Sequence, residues 1–320
     1  MKDDFATSSD GLFSAIVPCK NEAETVGLFY GEFARVMREL GRENFEIIFV
    51  EDGSTDATLD AVKKLSTQDP RVKYISFSRN FGKEAAMLAG FEAARGEFAA
   101  VMDADLQDPP ELLKEMFALI ADCDCVAARR ITRDGEPPVR SLFSRLFYGL
   151  MNAFSRLRFR QGARDFRLMR RRVVAQILRL GEYNRFTKGI YEWVGFKTKW
   201  IEFENRPRVA GKTNWSFLGL AMYSLEAFTS FSAAPLALAS LLGLGFCAFS
   251  ALAIVVLSVR QLIFHNSAFG WTSMVCILFF LSGLQLFCLG VLGQYVSKIY
   301  LETKRRPHYI IEESNVDGTN

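Results

Sequence analysis

Between Glu226 and Arg260 the chain carries no Asp, Glu, Lys or Arg, and it carries none between Arg260 and Lys298. A helix needs roughly 20 apolar residues to cross about 30 Å of hydrocarbon, and each gap is longer than that. The most apolar segments are about Leu236–Val259, "LALASLLGLGFCAFSALAIVVLSV", and about Ser273–Val296, "SMVCILFFLSGLQLFCLGVLGQYV". Two buried helices of a soluble protein are the competing reading, and the uninterrupted length favours two membrane spans. The whole chain of 320 residues is 50% hydrophobic, and these segments hold the excess.

Basic residues set the orientation of such a pair. Arg206, Arg208 and Lys212 precede the first span, and Lys298, Lys304, Arg305 and Arg306 follow the second, whereas the connecting loop has only Arg260 at its edge. The expectation is a multi-pass protein of the cell inner (plasma) membrane with both termini and the bulk of the chain cytoplasmic. The polar start, "MKDDFATSSD", has no signal-peptide pattern. A net charge of +3 is too slight to suggest nucleic acid as a partner. Of six cysteines, only Cys123-Asp-Cys125 is spaced for a metal, and reduced core thiols are the simpler reading.

The first hundred residues alternate apolar runs with helical patterns. "LFSAIVP" (12–18), "FEIIFV" (45–50), "VKYISF" (72–77) and "FAAVM" (98–102) suit buried strands. Helical spacing follows "NEAET", recurs over 57–67, and covers about Lys83 to Ala94. That rhythm predicts an α/β fold, a parallel sheet with helices on both faces, whose ligands bind beyond the carboxyl ends of the strands. "PCKNE", "EDGSTD" and "DADLQD" all fall there, so three acidic loops should converge on one crevice.

Asp103 and Asp105 lie two apart just past a strand, where alternate side chains share a side. Two carboxylates so close repel unless something cationic sits between them. A divalent ion is the simplest partner, and all-oxygen ligands favour Mg2+ or Mn2+. Magnesium is commonly held by one or two carboxylates plus substrate phosphates, which points to a phosphorylated ligand. A solvated acidic loop is the alternative for the acids taken alone.

Further along, "TRDGEPPVR" (132–140) reads as a loop. In "RSLFSRLFYGLMNAFSRLRFR" (140–160) Leu142, Phe143, Leu146, Phe147, Leu150, Met151 and Phe154 share one helical face bordered by arginines. Either an interfacial amphipathic helix or an ordinary core-facing helix fits. "WSFLGLAMYSLEAFTSFS" (215–232) is a second such candidate.

In order along the chain, "IVPCKNE", "VEDGSTDAT", "SFSRNFGKEAAMLAGFEAARGE", "MDADLQDPPELL", "ARDFRLM" and "RFTKGIYEWVGF" resemble family 2 glycosyltransferases of the GT-A fold. The similarity is to the polyprenyl-phosphate glycosyltransferases with two C-terminal spans, the bactoprenol glucosyltransferase type, with dolichyl-phosphate mannose synthases more distant. It covers about residues 11–310. The resemblance implies a Rossmann-like, mostly parallel GT-A catalytic domain followed by two transmembrane helices. It implies a nucleotide-sugar donor, UDP-glucose before other sugars, and a polyprenyl phosphate acceptor in the membrane lipid.

The same resemblance carries roles to individual residues. Pro18 and Glu22 match a motif lining the nucleotide pocket, Asp52 an acid that hydrogen-bonds the base, and Asp103 the residue nearest the nucleotide. Asp105 and Gln107 match metal ligands on the diphosphate, with Asp103 beside them. Asp165 and Arg167 match residues at the reaction centre, and Arg129 an arginine on the lipid phosphate. Arg133, Arg140 and Lys212 are further candidates for that phosphate. Three positions depart from the pattern: Lys20 replaces an aromatic, Glu51 replaces the first acid of D-D-G-S, and Asn214 replaces a lysine.

The expected layout is a disordered tail at 1–10, a nucleotide-sugar-binding core at 11–139, an acceptor region at 140–231, two spans within 232–298, and a cytoplasmic tail at 299–320, disordered from 312. Gly243, Gly245, Gly283, Gly290 and Gly293 would permit close helix packing, and a homo-oligomer is expected, a tetramer among the options. Two other functions would leave different marks in the sequence. A processive polysaccharide synthase would need more spans and a Q-x-x-R-W motif, where this chain has "EYNRF". A non-catalytic scaffold would have no need of the acids it retains.

Overall fold

The structure, a computed structural model, describes residues 11–131, 149, 151–155, 157, 159–204, 228–264 and 270–316. The chain divides into one compact unit of Met1–Tyr223 with Arg306–Asn320, and a second of Ser224–Arg305.

In the first unit β1 (Phe13–Cys19), α1 (Val26–Glu39), β2 (Phe45–Glu51), α2 (Thr58–Gln68), β3 (Val72–Phe77), α3 (Lys83–Ala93) and β4 (Phe98–Val101) alternate as the sequence predicts. They are followed by α4 (Leu112–Leu119), β5 (Cys125–Arg130), β6 (Ala163–Arg170), α5 (Arg171–Leu178), α6 (Thr187–Trp193) and β7 (Thr198–Phe203). With β8 (Ile311–Ser314) they form one sheet in the order β7-β5-β6-β4-β1-β2-β3-β8. The pairs β1–β2, β1–β4, β2–β3 and β5–β7 are parallel; β4–β6, β5–β6 and β3–β8 are antiparallel. This mostly parallel sheet with helices on both faces is the GT-A architecture that the resemblance implies.

Both faces are covered, which explains the unbroken apolar runs. Phe13, Ala15 and Val17 of β1 lie in one cluster with Phe29 and Phe33 of α1, Val62 of α2 and Met116 of α4. Each fully buried phenylalanine there stabilises by about 1.5–3 kcal/mol. On the opposite face Ile16 meets α3 at Gly90, where a Cβ would collide with the Ile16 side chain. Along β6, Phe166 and Leu168 join the first cluster. Asp165 and Arg167 therefore share the other face, and so does Arg129, whose row neighbour Glu202 lies between the clustered Ile201 and Phe203.

The expectation that residues 299–320 form a tail, disordered from 312, is corrected. Residues 299–304 continue a helix, and Ile311–Ser314 form β8 on the outer edge of β3. An unpaired β3 edge would leave a row of open N–H and C=O groups. The Tyr309 ring stacks on Phe77 at 4.9 Å, and the Asn315 side chain accepts from Tyr74 N at 2.6 Å and donates to Val72 O at 3.2 Å.

The second unit holds α7 (Ala234–Phe264) and α8 (Trp271–Lys304). At 31 and 34 residues they extend roughly 46 and 51 Å. Both are long and apolar enough to cross a membrane. Leu241, Leu244, Phe279 and Leu286 point outward rather than into a protein core, which argues against buried soluble helices. The two run antiparallel: Tyr295 Oη donates to Ser232 O at 2.7 Å, Lys298 Nζ to Ser230 Oγ at 2.8 Å, and Phe246 meets Phe280. The 132–140 loop, Arg133, Arg140, Lys212 and Asn214, most of both amphipathic segments, and residues 1–10 lie outside the described residues.

Candidate active site

The crevice beyond the strands is built by loops stapled to one another. Asn21 N donates to Ser54 Oγ at 3.0 Å, and Thr55 N donates to Asn21 Oδ1 at 2.9 Å. Glu22 N is 2.8 Å from Thr58 Oγ1, and Glu22 accepts from the Thr25 hydroxyl at 2.6 Å. Pro18, the penultimate residue of β1, pairs with Val50 of β2. Glu51 is buried, accepting from the Ser54 amide and, at 2.7 Å, from Ser76 Oγ, so the longer acid at this position ties the turn to β3.

Asp52 is buried and accepts from the amides of Phe81 at 2.6 Å and Gly82 at 2.9 Å. Burial pushes its carboxyl up, and these amides pull it down. The loop they belong to, "RNFG", closes on Gly53 so tightly that a Cβ there would stand 2.5 Å from Arg79 C and Asn80 N. Gly82, at φ 97, turns the chain into α3 and launches Lys83.

β4 stops at Val101, so Asp105 is delivered by a turn rather than by the extended alternation expected for the pair. Leu106 holds a left-handed backbone at φ 58, an unusual conformation for leucine that is commonest where function demands it. Asp105 is buried, and its carboxylate accepts from Gln107 N at 3.1 Å. Asp103 faces two cations, Lys83 Nζ at 2.6 Å and Arg164 Nη2 at 3.7 Å. Burial opposes ionisation of Asp103, but Lys83 and then Arg164 outweigh it and lower its pKa. Asp108, 2% exposed, is held by Arg164 Nε at 2.8 Å, a strut from the acidic turn to β6. Burial lifts its carboxyl to about 6 against the pull of that guanidinium.

Asp165 accepts from Lys83 Nζ at 2.9 Å. Burial opposes its charge too, yet Lys83 and Lys188 hold its carboxyl well below the usual range. Arg167 is 1% exposed, with its guanidinium 4.3 Å from the Tyr191 ring, 5.1 Å from Trp200 and 3.3 Å from Glu192. Ala127 lies between Arg167 and Trp200 in the sheet row, and its small side chain lets the two meet. Arg129 donates to Gln161 O at 3.0 Å and pairs with Glu202 at 3.1 Å, keeping a partly exposed guanidinium on the face of Asp165.

Asp52, Asp103, Asp105, Asp165, Arg167 and Arg129 are thus all placed at the carboxyl-end crevice or on its face of the sheet. Lys83 and Arg164 do not stand out in the sequence, whereas Asp108 does, as the third acid ending the apolar run. The available signal was the pair of basic residues in "ARDFR" and the lysine closing "RNFGK". Arg185 of "EYNRF" donates to the carbonyls of Leu180 and Ile177, capping α5 instead of entering the crevice. Cys123 and Cys125 are buried free thiols, and burial pushes Cys125 up to about 11.

Among the described residues no group of three or more His, Cys, Asp or Glu gathers as a metal cage. Asp103, Asp105 and Gln107 offer oxygen donors only, on one turn. A hard divalent ion that takes one or two carboxylates and completes its shell with substrate phosphates and water fits that set.

Residues 14–178 match the family described as Glycosyl transferase family 2. The chain is 42% identical over 307 residues to the putative glycosyltransferase CsbB of Bacillus subtilis (strain 168), covering 96% of this chain and 93% of that protein. It is 39% identical to the SfII prophage-derived bactoprenol glucosyl transferase of Shigella flexneri, covering 94% and 98%. It is 38% identical to the prophage bactoprenol glucosyl transferase homolog of Escherichia coli (strain K12), covering 93% and 98%.

Proposed function

The chain belongs to glycosyltransferase family 2, and on that footing we propose that it transfers a sugar to a polyprenyl phosphate at the cytoplasmic face of the inner membrane. The donor is a nucleotide sugar, with UDP-glucose first on similarity to the bactoprenol glucosyl transferases. The reaction inverts the anomeric carbon and yields a lipid-linked monosaccharide. The observation that carries this reading is the pairing of Asp103 and Asp165 through Lys83, beside the oxygen donors Asp105 and Gln107.

Bound at Asp103, Asp105 and Gln107, Mg2+ or Mn2+ would supply charge neutralisation for the departing diphosphate. Pro18, Glu22 and Asp52 form the nucleotide end of the crevice. Asp165 and Arg167 lie at the sugar end, and Arg129, Arg133, Arg140 and Lys212 are assigned to the acceptor phosphate. A phosphate monoester has a second pKa near 6, so at neutral pH the acceptor is mostly the dianion and needs little general-base help. Asp165, held strongly ionised by Lys83, is poorly suited to take a proton at neutral pH and well suited to orient the sugar. Bringing two anionic substrates together instead demands the guanidinium groups around it.

The topology rests on the basic residues outside the two long helices and on β8, which rejoins the sheet directly after α8. Among the described residues nothing lies within 4 Å of a Cβ position at the helix glycines, which fits a second copy packing there in a homo-oligomer. The test is a transfer assay with a panel of radiolabelled sugar nucleotides and extracted prenyl phosphate, product identity being read by mass spectrometry. Asp105→Ala should abolish labelled lipid with the fold intact, and undiminished transfer under metal chelation would refute the metal assignment.

A further inference from the structure

β4 and β6 are antiparallel neighbours with Val101 opposite Arg167. Continuing that register two residues past the paired segment sets Asp103 opposite Asp165 on one face. Like charges facing each other across adjacent strands destabilise the pairing. Lys83 fills that position: its ammonium is 2.6 Å from Asp103 Oδ1 and 2.9 Å from Asp165 Oδ2. The loop that launches Lys83 also gives the two amides that hold Asp52. One short segment therefore reaches an acid just past β2, another just past β4 and a third on β6.

We propose that Lys83 is a positioning residue for sugar transfer, its ammonium clamping Asp103 at the nucleotide end of the donor to Asp165 at the sugar end. The proposal rests on the transferase reading above. Its content is geometric: without the clamp the two carboxylates lose the one cation among the described residues in contact with both, Arg164 remaining 3.7 Å from Asp103 alone, so they separate and the sugar is no longer held in line with the incoming phosphate. A group needed only to bind the nucleotide would act on donor affinity. A clamp between the two ends acts on turnover, because misplacement by about 1 Å can cost on the order of 100-fold in rate.

The experiment compares full-length wild type, Lys83→Met and Lys83→Arg in detergent with prenyl phosphate and the donor that wild type uses. Calorimetric titration with UDP and Mn2+ counts intact nucleotide sites per chain. Lys83→Met should lose about 100-fold in kcat while donor KM moves by no more than about 3-fold, the number of UDP sites per chain staying at the wild-type value. Lys83→Arg keeps the charge with a different fork and should recover at least about 10-fold over Lys83→Met. Three results would overturn the clamp: Lys83→Met turning over like wild type, Lys83→Arg no faster than Lys83→Met, or UDP sites lost in proportion to rate. Wild type that labels no prenyl phosphate with any donor would instead defeat the transferase reading and the clamp together.

Discussion

Two glycines with nearly the same backbone make a controlled test of how the nucleotide end is built. Gly53 has φ 59 and Gly41 has φ 64. An added methyl at either position pays the left-handed penalty of about 1–2 kcal/mol. It also gains about 0.4–1 kcal/mol by restricting the unfolded chain, equally at both. Their surroundings differ: a Cβ at 53 meets backbone atoms of Arg79 and Asn80 at 2.5 Å, whereas among the described residues nothing lies within 4 Å at 41. Backbone cannot rotate away as a side chain can, so overpacking of about 1–3 kcal/mol should appear at 53 alone. Gly53→Ala is therefore expected to be about 1–3 kcal/mol less stable than Gly41→Ala in denaturant unfolding of the full chain in detergent, followed by near-UV circular dichroism. The displaced loop is the one whose amides hold Asp52, so donor KM should rise for Gly53→Ala and stay at the wild-type value for Gly41→Ala. Equal stabilities within about 0.5 kcal/mol, or an unchanged donor KM, would refute the backbone-to-backbone wall.

Arg71 hydrogen-bonds Asp69 and holds its carboxyl down at about 2, with burial opposing and the Tyr30 hydroxyl assisting. A folded pKa below the unfolded value of about 3.9 stabilises above that pH and is lost as pH falls from about 4 to 2. Asp69→Asn should cost about 1 kcal/mol at pH 7 after solvent screening, its stability converging on wild type near pH 2; parallel curves would contradict this. Arg167→Lys should lose about 1–3 kcal/mol, because an ammonium cannot stack flat on Tyr191 and Trp200, and retention of full stability would deny those stacks weight. Tyr309→Ala should cost about 2 kcal/mol through the lost ring contact with Phe77 and hydrogen bond to Glu92, and should hasten proteolysis at the C-terminal strand.

The strands legible in the sequence were those whose environment is uniform. β1 to β4 are buried on both faces and read as apolar runs. β6, "ARDFRLMR", is equally central, but one of its faces lines the crevice, so its charges break the pattern. β8, "IEES", has almost no intrinsic signal; it exists because the β3 edge, far away in sequence, requires a partner. The acids of the crevice were legible because Asp103, Asp105 and Asp108 interrupt an apolar run with no local reason. Lys83 was not, because a lysine opening a helix reads as a solvated residue until the β4–β6 register sets Asp103 opposite Asp165. Arg167 was legible by resemblance, yet its near-complete burial depends on Ala127 being small in the strand between it and Trp200.

The pairing of β8 with β3 also fixes when the sheet can be finished. Ser314 and Tyr74, hydrogen-bonded across that edge, are 240 residues apart. At about 5–20 residues per second of synthesis, the edge of β3 waits roughly 10–50 s for its last strand. Both long apolar helices emerge in that interval, so completion of the sheet comes after they have been made. A nascent chain stalled before Ile311 presents a bare, pairing-prone edge to its neighbours until β8 is made.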